Sequence, residues 1–494
     1  MTLVKLTLAL DAGTTGVRAI AFDEAVQVQF ESYRELTQHF PAPGEVEHDA
    51  LEIAHLAVEV LGEVARWARA EGHAVEALGI TNQRETVVCF DRASGRVAGR
   101  ALVWQDRRGA NFCDELRLAG HEDRVREVTG LVLDAYFSGS KMHWLLNHGA
   151  ADAFTSPALA TIETWLIWWL TGGVEDGEFA TEASNASRTL LFDLDALTWS
   201  KEMGELFGVD AALLAEVRPS AGSFGEVSAR VLPELGGLPI SGALGDQQAA
   251  LFGQACFAPG VVKATYGTGA FVLANAGARP SAALAGLLTT IAWDLGPLGS
   301  VTYALEGSAF VAGAAVQWLR DELSFIAHSS ELEALALSVP DSAGVNFVPA
   351  FTGLGSPFWH PEARGAITGL TRGAGRAHVA RALVEALAYQ VRAITDAFRD
   401  GGVTLRELRA DGGAAAMNHV LQLQASASRL PVLRSASLEA TARGAATLAG
   451  LSTGLYPSLD ALEGLWHCDR RFEPEDPLFA DAGYDAWRRA CLVA

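Results

Sequence analysis

The stretch "LALDAGTTGVRAIAFD", Leu8 to Asp23, places two apolar runs on either side of a loop that holds Asp11, Gly13, Thr14, Thr15 and Gly16. The two runs predict antiparallel strands, and Gly13 and Gly16 supply the backbone freedom a tight connection needs. An ordinary hairpin satisfies that pattern. So does a loop whose outward backbone N–H groups and hydroxyls, with a carboxylate at the lip, wrap a phosphate chain and its Mg2+. The rest of the chain decides between the two.

Two later stretches bear on the choice. "VVKATYGTGAFVLANAG", from Val261, repeats the plan of apolar run, Gly-Thr loop and apolar run, which suggests two like-folded halves. "LRADGGAAAMNHVLQLQAS", from Leu408, reads as a short strand, a Gly pair and a helix start, a place where a nucleotide can meet backbone N–H groups. Their order, Asp-x-Gly-Thr-Thr, then Gly-Thr-Gly, then Asp-Gly-Gly, resembles the actin, Hsp70 and hexokinase superfamily. That resemblance implies an α/β fold of two RNase-H-like domains, mixed sheets flanked by helices, with an ATP cleft between them.

The remaining pattern agrees with a mixed α/β chain. Asp49 to Gly72 reads as an amphipathic helix, capped by Asp49, closed by Gly72, with Leu56, Val60, Val64 and Trp67 on one face. A second helix, Ala377 to Arg399, carries Leu383, Leu387, Val391, Ile394 and Phe398 and stops at Gly401. "ALGITNQRETVVCFDRASGRV" predicts a strand pair with its turn at Ala93 to Gly95, and "WLIWWL" at Trp165 to Leu170 is a buried helix, far too short to span a bilayer.

Composition narrows the function. At 494 residues the chain exceeds a single core, and a net charge of −22 is the wrong sign for a nucleic-acid binder, which needs a basic patch. Cys89, Cys113, Cys256, Cys468 and Cys491 are scattered and form no C-x-x-C pair, which points to reduced thiols in a cytoplasmic protein. The segment before Asp11 is too short for a signal peptide. Lys5, Lys141, Lys201 and Lys263 are the only lysines and none follows a glycine, so there is no Walker A loop. H-R-D and D-F-G are absent, as is a G-x-G-x-x-G turn between strand and helix, and the histidines form no H-x-x-x-H pair.

Five stretches remain to receive a phosphate. Arg84 and Glu85 in "TNQRETVV" head an apolar strand, where charge is costly unless exposed or paired with a ligand. Trp104 in "ALVWQDRRG" precedes a polar cluster, core packing being the ordinary role of a lone Trp. Tyr136 in "DAYFSGSKMHW" sits in a Gly/Ser turn, and a small-residue strand runs into Asp246, ordinarily a helix N-cap. Phe271 follows the second Gly-Thr-Gly loop.

Together with "SNASRTLLF", "ISGALGDQQAALFGQ", "TYGTGAF" and "PAFTGLGSPFWHPEARGAITGLTRG", these stretches resemble the FGGY carbohydrate kinases over nearly the whole chain. "TNQRET" and "GDQQAALFGQ" are similar to the members that phosphorylate glycerol rather than a pentulose. The resemblance implies transfer of the γ-phosphoryl group of ATP to glycerol, giving sn-glycerol 3-phosphate and ADP. It puts Arg84, Glu85, Tyr136, Asp246 and Gln247 on the polyol hydroxyls, Trp104 and Phe271 against the carbon chain, and Asp246 as catalytic base. Its nucleotide set is Thr14, Thr15, Gly16, Arg18, Thr268, Gly313, Gln317, Gly413 and Met417, with Asp11 and Asp246 toward Mg2+. Residues 1–254 would form the N-terminal domain and 255–494 the C-terminal one. Glycerol and ATP are the expected partners of a cytoplasmic homo-oligomer, a dimer or tetramer, with no nucleic acid and no membrane insertion.

The chemistry is consistent with those residue types. A three-carbon polyol offers hydroxyls and little apolar area, so recognition has to come from polar groups that a wrong substrate leaves unpaired. Phosphoryl transfer is mostly positioning and neutralisation of charge, and a carboxylate at a helix N-terminus suffices to accept the hydroxyl proton. Two alternatives share part of the pattern. Another kinase of the family, acting on a pentulose or gluconate, has no need of "TNQRET"; a non-catalytic switch of the Hsp70 or actin kind has no use for a polyol pocket. The chain departs from the family at Met417, where relatives carry an Asn near the adenine; Asn418 is next.

Overall fold

In the computed structural model, which describes residues 4–277, 286–475 and 477–494, the opening hairpin forms as the sequence predicts. Strands Lys5–Ala12 and Gly16–Phe22 pair antiparallel with Asp11 opposite Arg18. Val28–Glu35 extends the sheet on one side, Ala74–Asn82 joins Lys5–Ala12 in parallel on the other, and Ile240–Gly245 lies parallel beyond it. Leu6, Leu8 and Leu10 are buried with Val17, Ala19 and Ala21 in one core that includes Ile53, Val60, Leu61 and Val64 of the helix Ala50–Glu71. That helix is capped as read: the Asp49 carboxylate accepts from the N–H groups of Leu51 and Glu52, and Gly72 closes it at a φ of 74°.

The chain forms two units, and neither is one continuous stretch. The first runs to Ala255 and takes back Thr289–Tyr303 and Glu439–Leu465; the second takes Cys256–Leu288, Ala304–Leu438 and Trp466–Ala494. The return of 439–465 has a packing cause. Helix Ala440–Ser452 lies on the first sheet so closely that a Cβ on Gly242 would stand 2.8 Å from Ala449 N, and one on Gly79 would overlap Ala445 O.

The second unit repeats the connectivity of the first. Val261–Tyr266 pairs antiparallel with Ala270–Gly277 and parallel with Glu407–Asp411, just as Lys5–Ala12 pairs with its hairpin partner and with Ala74–Asn82. Val432–Ser435 and Cys468–Phe472 continue the sheet. Helix Arg376–Asp400 buries Leu383, Leu387, Val391, Ile394 and Phe398, the face its periodicity predicts. Ile162–Leu170 is a buried helix, and no helix among the described residues is long and apolar enough to cross a membrane.

The run from Ala77 to Val97 departs from the expected strand pair. Ala74–Asn82 belongs to the first sheet, whereas Val87–Asp91 lies in a different sheet against Pro157–Thr161. The turn after Asp91 forms, but the returning chain contributes only a bridge between Phe90 and Val97. The break falls on Glu85, whose φ of 62° no strand accommodates.

Candidate active site

The Gly13–Gly16 loop, expected to hold phosphate, is closed by Gly13 N–H on Gly16 O at 2.9 Å. A Cβ on Gly16 would lie 2.5 Å from Arg34 O, so the neighbouring strand can approach only a glycine there. Thr15 is exposed and Thr14 half-buried at the tip. Arg18 donates to Asp11 Oδ2 from Nε at 3.2 Å and Nη2 at 3.1 Å, and pairs with Glu439 as well. Burial pushes the Asp11 carboxyl up, against the lowering by Arg18. Arg18 is thus anchored to two carboxylates behind the loop.

Four of the segments that the resemblance assigns to the polyol meet in the first unit, those of Arg84 and Glu85, Trp104, Tyr136 and Asp246. Arg84 and Glu85 are each 2% exposed, which rules out the exposed strand end as their role. Thr86 N–H donates to Arg84 O at 2.8 Å and closes a three-residue turn around Glu85, a backbone strain of about 1–3 kcal/mol. Ser138 Oγ donates to Glu85 O at 3.2 Å and helps hold it. Arg84 Nε stands 3.0 Å from Asp246 Oδ1, and its Nη1 donates to Gln248 Oε1 at 3.2 Å. Asp246 opens the helix Asp246–Gly253 one position after the cap residue Gly245, and its Oδ1 accepts the first-turn N–H of Gln247 at 2.6 Å. Trp104 and Tyr136 meet edge to face at 5.7 Å, and Trp104 Nε1 donates to Thr14 Oγ1 at 3.0 Å. One indole therefore touches both Tyr136 and the Gly13–Gly16 loop.

Two further residues complete this cluster without having been singled out in the sequence. Arg188 is fully buried, donates from Nε to Glu85 Oε1 at 2.5 Å, and lies over the Tyr136 and Phe137 rings at 5.4 and 5.0 Å. Lys141, also fully buried, donates to the carbonyls of Ala135, Tyr136 and Phe137 at 2.9, 2.6 and 3.1 Å and so fixes the Tyr136 turn; burial pushes its ammonium down to about 8. The available signal was a lone cation in a small-residue and apolar context, "SNASRTLLF" and "SGSKMHW".

In the second unit, Thr268 is exposed on a loop seated at the start of helix Gly313–Asp321. Gly313 N–H donates to Gly267 O at 2.9 Å, and a Cβ on Gly313 would come within 2.6 Å of that oxygen. Gln317 is exposed on the same helix, and half-buried Phe271 pairs with Thr265 in the hairpin. Gly412, at a φ of 87°, lets the Asp-Gly-Gly joint approach the backbone of Tyr266, and exposed Gly413 follows. Half-buried Met417 occupies the N-cap position of helix Asn418–Ser428 and makes no side-chain cap bond; Asn418 Oδ1 accepts from Arg434 Nη1 at 3.0 Å.

Among the described residues no group of three or more His, Cys, Asp or Glu side chains could hold a metal. Mg2+ takes one or two carboxylates and completes its shell with phosphate oxygens and water, a sparse donor set that Asp11 and Asp246 fit.

Comparison with known proteins identifies the family. The model of the FGGY family of carbohydrate kinases matches in both parts, its N-terminal domain over residues 6–253 and its C-terminal domain over 262–453. The chain is 49% identical to glycerol kinase of Bordetella parapertussis, covering 99% of this chain and 97% of that protein. It is 48% identical to glycerol kinase of Myxococcus xanthus, covering 98% of each. The crystal structure of Plasmodium falciparum glycerol kinase with ADP superposes with a TM-score of 0.92 at 33% identity, over 99% of this chain and 97% of that one. Xylulose kinase of Rhodospirillum rubrum, at 23% identity and a TM-score of 0.88 over 99% and 98% of the two chains, shares the fold. With a Gly-Thr hairpin loop in each unit, the repeated sheet connectivity and both halves of the family model in place, the chain belongs to the FGGY family of carbohydrate kinases.

Proposed function

We infer that this protein is an ATP-dependent glycerol kinase, forming sn-glycerol 3-phosphate and ADP. The observation that carries the reading is the buried polar set of Arg84, Glu85 and Arg188 with half-buried Asp246 beside the Trp104–Tyr136 pair, in a chain nearly half identical to glycerol kinases throughout. A pocket of charge with two aromatic walls suits a small molecule that is mostly hydroxyl.

In this reading Arg84, Glu85, Tyr136 and Gln247 hold the hydroxyls and Trp104 lies against the carbons; Phe271 is the apolar side chain the second unit offers. Asp246 accepts the proton of the attacking primary hydroxyl; a weak base is enough because the transition state is loose. In the first unit Thr14, Thr15 and the loop N–H groups serve phosphate; in the second, Thr268 and Gly313 do the same and Gln317, Gly413 and Met417 serve the nucleotide. Asp11 and Asp246 would hold Mg2+, whose charge neutralises the phosphate oxygens. The reading also places the protein in the cytoplasm, in keeping with free cysteines at all five positions, as a dimer or tetramer.

Coupled ADP release with glycerol, xylulose, gluconate or no acceptor tests it. Release only with glycerol is expected; release unchanged by glycerol, or faster with xylulose, refutes it. Asp246→Asn should keep its melting temperature and lose about 10²- to 10⁴-fold in turnover.

A further inference from the structure

Glu182, in the segment "TEASNASRT", is fully buried and accepts five hydrogen bonds. Ser184 N–H and Oγ donate at 2.7 and 2.5 Å, Asn185 N–H and Nδ2 at 2.6 and 3.0 Å, and Ser220 Oγ at 2.6 Å. Two of these donors are the backbone groups that any cap of the short helix Ala183–Ala186 would serve. The other three lead outward. Ser184 Oγ in turn accepts the Gly245 N–H at 3.0 Å, the peptide that sets the start of the Asp246 helix. Asn185 exchanges a reciprocal pair of amide bonds with Asn82, at 3.0 and 3.1 Å, two residues before Arg84. Ser220 Oγ accepts the Asp294 N–H at 3.1 Å.

One carboxylate therefore ties together the two chain segments that deliver the site's charged groups. Asn82 and Gly245 pair in register as the last residues of adjacent parallel strands, and the groups that matter project from the loops just beyond them, where the sheet no longer fixes their spacing. The Glu182 hub spans that gap, through side chains to Asn82 and through the Ser184 hydroxyl to the Gly245 backbone N–H. A neutral helix cap would need no buried anion and no onward links to both strands.

We propose that Glu182 is a positioning residue for phosphoryl transfer, fixing Asp246 against Arg84 and Glu85 through Ser184 and Asn185. It touches no reacting atom. The proposal rests on the reading of Asp246 as the base and of Arg84 and Glu85 as polyol ligands.

The test is a double-mutant cycle in the full-length protein, with Ser184→Ala cutting the link to Gly245 while leaving Glu182 and its other donors in place. Ser184→Ala should lower kcat for glycerol roughly tenfold, because misplacement of a reacting group by a fraction of an ångström is costly, and leave the KM for ATP unchanged. In an Asp246→Asn background the same change should alter kcat less than about twofold, since there is no base left to position. Glu182→Gln, isosteric but presenting an NH2 group to donors, should act in the same direction and more strongly. An equal fold-loss from Ser184→Ala in both backgrounds, or a fall in melting temperature with kcat unchanged, overturns the proposal. Full turnover in Asp246→Asn by itself overturns the reading beneath, and the proposal with it.

Discussion

Trp104→Phe separates two roles that one side chain combines. The indole faces the acceptor aromatics through Tyr136, and its Nε1 donates to Thr14 Oγ1 at 3.0 Å. The backbone continues the link: Trp104 N–H donates to Thr86 Oγ1 at 3.2 Å, Thr86 Oγ1 to Gln83 Oε1 at 3.0 Å, and Gln83 Nε2 to Gly13 O at 3.1 Å. The circuit starts at Thr14 and ends at Gly13, on the same loop. Because the indole occupies a lone pair of the Thr14 hydroxyl, that hydroxyl's own proton is turned away from the indole, the arrangement a phosphate oxygen needs.

Phe keeps an aromatic ring and removes the donor. One neutral hydrogen bond is worth about 0.5–1.5 kcal/mol, or roughly twofold to tenfold in kcat/KM. That loss should fall on kcat/KM for ATP. The KM for glycerol should move less, because a polyol has little apolar area to lose against the missing pyrrole. Thr14→Val removes the other end of the bond, so the two changes together should cost no more than the larger alone. The assay is initial-rate kinetics with each substrate varied in the wild type, both single variants and the double. Additive losses, or a change confined to the glycerol KM, would refute the argument and leave Trp104 as a wall of the acceptor pocket.

Other outcomes follow from single groups. Glu85→Gln weakens the 2.5 Å contact with Arg188, a charge-assisted bond worth about 1.5–3 kcal/mol; titrating glycerol should show its KM raised roughly 10- to 150-fold with the ATP KM little changed. Burial pushes the Glu163 carboxyl from 4.5 to about 7, and its Oε2 has no hydrogen-bond partner among the described residues. The folded state then keeps a proton that the unfolded chain releases, so stability falls as pH rises from about 4.5 to 7, by roughly 3 kcal/mol at about 1.4 kcal/mol per pH unit; thermal melts at pH 5 and pH 8 should show Glu163→Gln flattening that slope. Met417 sits at a helix N-cap with φ −79° and ψ 114° and no cap bond, so Met417→Asn should add about 0.5–2 kcal/mol of stability by capping. If Asn there also reads the base, kcat/KM should rise more for ATP than for GTP; a higher melting temperature with an unchanged ratio would make it a cap alone, and Asn418→Ala should not move the ratio because Arg434 engages that side chain.

What can be read from sequence here is what is local. The hairpin at Asp11, its echo at Thr268 and the helix capped by Asp49 need only neighbours a few residues away, so composition and spacing specify them. Arg84 and Glu85 show the limit. Their positions are legible, but their burial requires Asp246 and Arg188, brought in from distant segments, and the turn at Glu85 that breaks the strand is stable only inside that cluster. Likewise nothing local marks Glu439–Leu465 as part of the first unit; glycines do, and only in pairs, since Gly79 and Gly242 matter because Ala445 and Ala449 lie against them. Buried charge is the better signal for a site than any one motif. An apolar context makes Arg188 or Lys141 costly unless the fold supplies partners, and a fold that does so has the preorganised dipoles that phosphoryl transfer needs. The residues hardest to read one at a time are therefore those whose charges, once paired, set the geometry of the chemistry.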